Sequence, residues 1–103
     1  METTEKTIKK NYIYKGRILN LRNDDVLLPN GKTASREVIE HGGGVCVVAL
    51  DDDENIYLVS QFRYPYMEEV LEIPAGKLEK NEDPLLCAKR ELKEETGCTA
   101  EHY

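Results

Sequence analysis

An α/β fold of the α+β kind, in which a small antiparallel β unit precedes a unit of strands and one helix, is predicted by three features of the sequence. Pro29-Asn30-Gly31 lies between two apolar runs in "DDVLLPNGKTASREVIEH", a hairpin signal. "VCVVAL", Val45 to Leu50, is apolar without alternation, as expected of a strand covered on both faces. Asp83-Pro84 and Gly97 bracket about a dozen residues as N-cap, first helical position and left-handed terminal residue of a helix.

In chain order, "METTEKTIKK" is polar, carries both charge signs and has no apolar signal core. Residues 7–40 form the antiparallel unit, in which "NYIYKGRILNL" is rich in strand formers. Gly31-Lys32-Thr33 has the tail of a phosphate-binding P-loop, but the glycine required upstream falls at Val26, which excludes that motif. Gly42-Gly43-Gly44 marks the junction between an N-terminal unit, residues 1–41, and a second unit, residues 42–103. "DDDEN" is a solvated hairpin tip, since a calcium loop needs a longer ligand pattern ending in glutamate. "IYLVSQFR" is the returning strand, and a short strand from Val70 to Ile73 stops at Pro74. Glu72 sits inside that apolar run, and periodicity alone fits an exposed side chain as well as one aimed into a cleft.

Composition narrows the function. The 103 residues suffice for one small domain but not two, and 40% hydrophobic with 33% charged residues is a globular balance. A formal net charge of −6 argues against a broad nucleic-acid surface, so an anionic ligand needs local arginines or a bound cation. No stretch reaches the roughly 18–20 apolar residues of a membrane span. Cys46, Cys87 and Cys98 form no CxxC pair, which points to reduced thiols, a cytoplasmic location and no zinc site.

The helix carries an anomaly. Leu85, Ala88 and Leu92 fall in one stripe at about 100° per residue, the expected core face. Glu91, Glu94 and Glu95 border that stripe in the last turns, where the peptide dipoles disfavour negative charge by about 0.3–1 kcal/mol each. Glu91 and Glu95 also repel at i,i+4, and Arg90 with Glu94 runs in the less favourable order. Local rules broken together mark a functional site. A divalent cation resolves the conflict: hard oxygen ligands suit Mg²⁺, or Mn²⁺ in its place, and magnesium tends to share its shell with substrate phosphates.

"GKLEKNEDPLLCAKRELKEETGC", Gly76 to Cys98, resembles a complete Nudix box. Gly76, Glu82, Arg90, Glu91, Leu92, Glu94, Glu95 and Gly97 match its fixed positions, and Cys98 closes it as the apolar residue. Upstream, "REVIEHGGGVCVVALDDDENIYLVSQFRYPYMEEVLEIPAGKLE" is similar to the ADP-ribose pyrophosphatase branch of the Nudix hydrolases.

The resemblance implies an α/β/α sandwich around a mixed sheet, with the N-terminal β unit packing across a homodimer. It implies metal ligation by the Ala75 carbonyl, Glu91 and Glu95, with Glu94 contributing directly or through water. Arg90 would hold the glutamates, Gly76 would permit the tight loop, and Glu82 and Gly97 would be structural members of the motif. Arg63 would meet a pyrophosphate, and Arg36 and Glu37 the nucleotide end. The implied reaction is Mg²⁺-dependent hydrolysis of a nucleoside diphosphate sugar, with ADP-ribose giving AMP and ribose 5-phosphate. A non-catalytic nucleotide-binding or interaction module is the alternative. Only Thr99 to Tyr103 follow the box, whereas relatives continue for many tens of residues that include a loop often carrying the catalytic base. The chain is therefore expected to be the N-terminal portion of such a hydrolase, with the Leu85–Ala88–Leu92 stripe and "VCVVAL" short of cover.

Overall fold

The computed structural model describes residues 2–103, which divide into two compact units, one ending at Gly42 and the other running from Gly43. The first unit is a β-sheet built around β3 (Leu19–Leu27), with β4 (Thr33–His41) antiparallel along one edge. Its other edge is shared by β1 (Lys6–Lys9), which pairs with the Asp25–Leu27 end, and β2 (Tyr12–Lys15), which pairs with the Asn20–Arg22 end. Asn11 sits between these two strands, accepting from the Asn23 amide at 2.8 Å and donating to the Asn23 carbonyl at 3.0 Å. The β3–β4 register is unbroken from Leu19↔His41 to Leu27↔Thr33. Its turn is the one anticipated at Pro29-Asn30-Gly31: the Leu28 carbonyl accepts from Gly31 at 3.0 Å, and Gly31 takes φ 85°, which only glycine adopts without strain.

The second unit holds two strand pairs and the helix. β5 (Gly44–Cys46) pairs with β8 (Ala75–Lys77), and β6 (Val59–Arg63) pairs with β7 (Glu68–Glu72) across a 3₁₀ turn at Tyr64–Tyr66. The acidic tip folds as expected, with the Asp51 carboxylate accepting from the Asp53 and Asn55 amides at 2.9 Å each. Helix α1 (Pro84–Thr96) is capped by Asp83, whose carboxylate accepts from the Leu86 amide at 3.2 Å. It ends on Gly97 at φ 75°, whose amide donates to the Lys93 carbonyl. Both caps stand where the sequence put them.

One expectation needs correction. The strand foreseen over "VCVVAL" stops at Cys46; beyond it only Val47 to the Pro74 carbonyl, Tyr57 to the Ala49 carbonyl and an isolated Leu50–Ile56 bridge remain. Val48 and Leu50 stand exposed, because no described strand lies along that stretch. On the helix, Leu92 is buried and Ala88 half-buried as expected, Leu85 is short of cover as expected, and the buried face also takes in Cys87, which was not foreseen. Cys87 and Leu92 are buried, whereas Leu85 is 49% exposed. α1 rests on β5 and β8, so the line Cys87–Glu91–Glu95 turns inward and Leu85 overhangs an open groove of about 730 Å³ of mixed lining, with Val48, Leu50 and Tyr57 beside Asp51 and Asp52.

Candidate active site

Two of the three anomalous carboxylates, Glu91 and Glu94, are held by one guanidinium. Arg90 donates through Nε and Nη2 to the two oxygens of Glu82, at 3.0 Å each, a bidentate fork that lysine could not form. Its Nη1 donates to Glu91 Oε1 at 2.9 Å and lies 3.3 Å from Glu94 Oε2. With Glu79 at 3.8 Å, a single cation thereby lies within ion-pair distance of four glutamates. Glu82 in turn accepts from the Glu79 amide at 3.0 Å, which ties the loop before α1 to the helix. These bonds hold the Glu82 carboxyl down to about 2, chiefly through Arg90, and Arg90 is pushed above the ordinary guanidinium range by the same contact.

Glu91 is seated by an absence. A Cβ placed on Gly76 would fall 2.0 Å from the Glu91 Cδ, so the carboxylate occupies the space that a side chain would fill. β8 thus brings the Ala75–Gly76 backbone against a carboxylate oxygen donor. Glu95, one turn further along, accepts from Gln61 Nε2 of β6 at 3.3 Å. Beside it, Arg63 is gripped by Glu72 through Nε at 2.6 Å and Nη2 at 2.5 Å. Glu72 raises the Arg63 guanidinium most, with Glu95 adding to the effect, and Arg63 lowers Glu72. The even choice left open for Glu72 resolves inward, toward an arginine partner.

Among the described residues no three carboxylates, imidazoles or thiols converge closely enough to form a ready metal cage. Glu91 is turned to Arg90, and Glu95 to Gln61. The donor chemistry nevertheless fits Mg²⁺ or Mn²⁺: two part-buried carboxylates one turn apart and a backbone carbonyl strand beside them are hard oxygen donors of the kind these ions take. Arg36 and Glu37 are exposed on β4 of the first unit, where adjacent strand residues point to opposite faces. Arg36 is paired there with Glu5, Nε to Oε1 at 2.9 Å.

Gln61 was not anticipated as part of the site. Its signal was the two-residue spacing to Arg63, which puts both side chains on the same face of one strand.

Residues 40–103 match the model of the NUDIX domain. The chain belongs to the NUDIX family. Residues 5–39 match a second model, the nucleoside diphosphate sugar hydrolase N-terminal domain. The sequence is 52% identical over 97 residues to the methanol dehydrogenase activator of Bacillus methanolicus, covering 94% of this chain and 52% of that protein. It is also 52% identical over 96 residues to the ADP-ribose pyrophosphatase of Bacillus subtilis (strain 168), covering 93% and 52%. A crystal structure of an ADP compounds hydrolase superimposes with a TM-score of 0.82 at 21% identity, over 98% of this chain and 55% of the other, which shows a shared fold. The chain spans about half the length of the curated relatives it matches. The Arg90 cluster, the Gly76 seat and the Gly97 cap all fall inside the NUDIX box.

Proposed function

We propose that this NUDIX chain carries the metal- and diphosphate-binding part of a hydrolase that cleaves the pyrophosphate bond of a nucleoside diphosphate sugar, with ADP-ribose giving AMP and ribose 5-phosphate. The observation that carries this reading is the helix α1 carboxylate array: Glu91 lodged against Gly76, Glu95 one turn on, and Arg63 of β6 beside Glu95. Similarity to a protein named ADP-ribose pyrophosphatase supports the choice of substrate.

In this reading Glu91, Glu95 and the Ala75 carbonyl hold Mg²⁺, or Mn²⁺ in its place, and Glu94 joins them directly or through water. A divalent ion so bound supplies charge neutralisation at the phosphates and a water of lowered pKa. Arg90 orients the glutamates, with Glu82 fixing Arg90. Arg63, kept extended by Glu72, presents its remaining N–H donors to the diphosphate. A carboxylate would take the proton from the attacking water. Gly76 and Gly97 keep the loop and the helix end in place.

Arg36 and Glu37 are assigned to the nucleotide end, contributed by a partner subunit of a homodimer. Among the described residues the β4 strand that bears them pairs with β3 alone, which leaves an edge for association. The three unpaired thiols accord with a cytoplasmic setting.

The test is Mg²⁺-dependent release of AMP from ADP-ribose, measured on this chain and on any longer protein that carries it. Release that is abolished by EDTA is the expected result; no release in any context overturns the assignment. A second reading, a nucleotide-binding or interaction module, draws on the equal likeness to a protein named as a dehydrogenase activator. Tight ADP-ribose binding with no AMP formed favours it.

A further inference from the structure

β6 alternates outward Ser60 and Phe62 with inward Val59, Gln61 and Arg63. The two polar residues of the inward face are committed differently. Arg63 spends two of its donors on Glu72 of the neighbouring strand. Gln61 has an aliphatic partner across the strand pair, Val70, and sends its carboxamide instead to helix α1, where Nε2 meets Glu95 Oε2 at 3.3 Å.

What Glu95 needs is order without neutralisation. Its terminal torsion is broad and poorly self-restrained, and it sits in the last helical turn one turn from Glu91, where dipole and neighbour both push its charge away. A lysine or arginine partner would hold the carboxylate but offset part of its charge, as the shared Arg90 does for Glu91. A neutral amide supplies the restraint and leaves the negative charge in place. The amide's hydrogen bond engages Oε2, one of the two carboxylate oxygens.

We infer that Gln61 is a positioning residue for Glu95, holding one carboxylate oxygen so that the other is presented to a divalent cation. This rests on the metal-dependent reading proposed above and extends it to a residue outside the NUDIX box.

The experiment is Mn²⁺ binding without nucleotide, followed by the electron paramagnetic resonance of the free ion, together with thermal melting of the metal-free protein. Gln61→Met keeps the length and removes the donor; Gln61→Asn keeps the amide but is one methylene short. Both are expected to weaken Mn²⁺ binding about tenfold, the usual cost of losing a group that orients a metal ligand, with the metal-free melting temperature unchanged. Glu95→Gln serves as the reference for loss of the ligand itself. If Glu95→Gln weakens binding and the Gln61 variants bind as wild type, the role of Gln61 is overturned and the metal site stands. Affinity that only follows a drop in melting temperature across both variants marks a structural tie and also overturns it. Should wild type bind no Mn²⁺, or Glu95→Gln bind it equally well, the metal reading falls and the inference with it.

Discussion

Gly76 and Glu91 share one volume: the carboxylate of Glu91 lies where a side chain at position 76 would begin, 2.0 Å from a Cβ built there. Gly76 has no positive φ, so its requirement is one of space and not of backbone freedom. The neighbour that must yield is the far end of a flexible side chain, and that decides what a substitution does.

Gly76→Ala is therefore expected to separate stability from binding. Glu91 can swing aside, so unfolding free energy should change by less than about 1–3 kcal/mol, the usual range for overpacking. Mn²⁺ affinity should fall about tenfold or more, because the group displaced is a proposed ligand. Denaturant unfolding beside a Mn²⁺ titration checks this, and a variant that binds normally removes Glu91 from the ligand set.

Glu82 predicts an acid transition. Its carboxyl is lowered from 4.5 to about 2 by Arg90 and the Glu79 amide. The unfolded chain then binds more protons than the folded one between those values, so the contribution of Glu82 is complete above about pH 4.5 and is lost as pH falls toward 2. Glu82→Gln should flatten that part of a melting-temperature profile while lowering stability at neutral pH. An unaltered acid slope would show that the Glu82–Arg90 pair is not set up in solution.

For Glu95→Gln in a full-length protein that carries this chain, the expected result is loss of Mg²⁺-dependent AMP release by about 100-fold or more, because a neutral amide is a poor ligand for a hard cation. The Arg90 cluster does not include Glu95, so folding should be little affected. Wild-type rates from this variant would dismiss the assignment.

At the helix end, Gly97→Ala isolates backbone strain. Nothing lies within 4 Å of a Cβ there, yet φ is 75°. The cost should be about 1–2 kcal/mol, that of forcing an L-residue into the left-handed region. Chemical denaturation reads it directly, and a neutral result would mean the last turn frays.

These contrasts also explain what could be read from sequence. Asp83, Gly97 and the Pro29-Asn30-Gly31 turn act within a few residues of themselves, so local rules located them. The carboxylate anomaly was legible because Glu91, Glu94 and Glu95 offend helix electrostatics one turn apart. The burial of Cys87 was not, since Leu85 and Cys87 differ in what lies opposite, and only tertiary packing tells them apart. Gln61 and Glu72 escaped for the same reason: their partners lie 34 and 9 residues away. At "VCVVAL" the shortage of cover was foreseen and Val48 and Leu50 are exposed, but the strand is shorter than the apolar run because composition does not name the neighbour that would extend it.

The β5–β8 register has a practical consequence. Cys46 is exposed and pairs directly with Ala75, whereas Cys87 is sealed, its thiol raised chiefly by burial. A maleimide probe or nitroxide tag would attach far more readily at position 46 than at 87. It would sit across one strand spacing from the backbone proposed to meet the cation. The fold thus carries its own anchoring point for a reporter of ion occupancy.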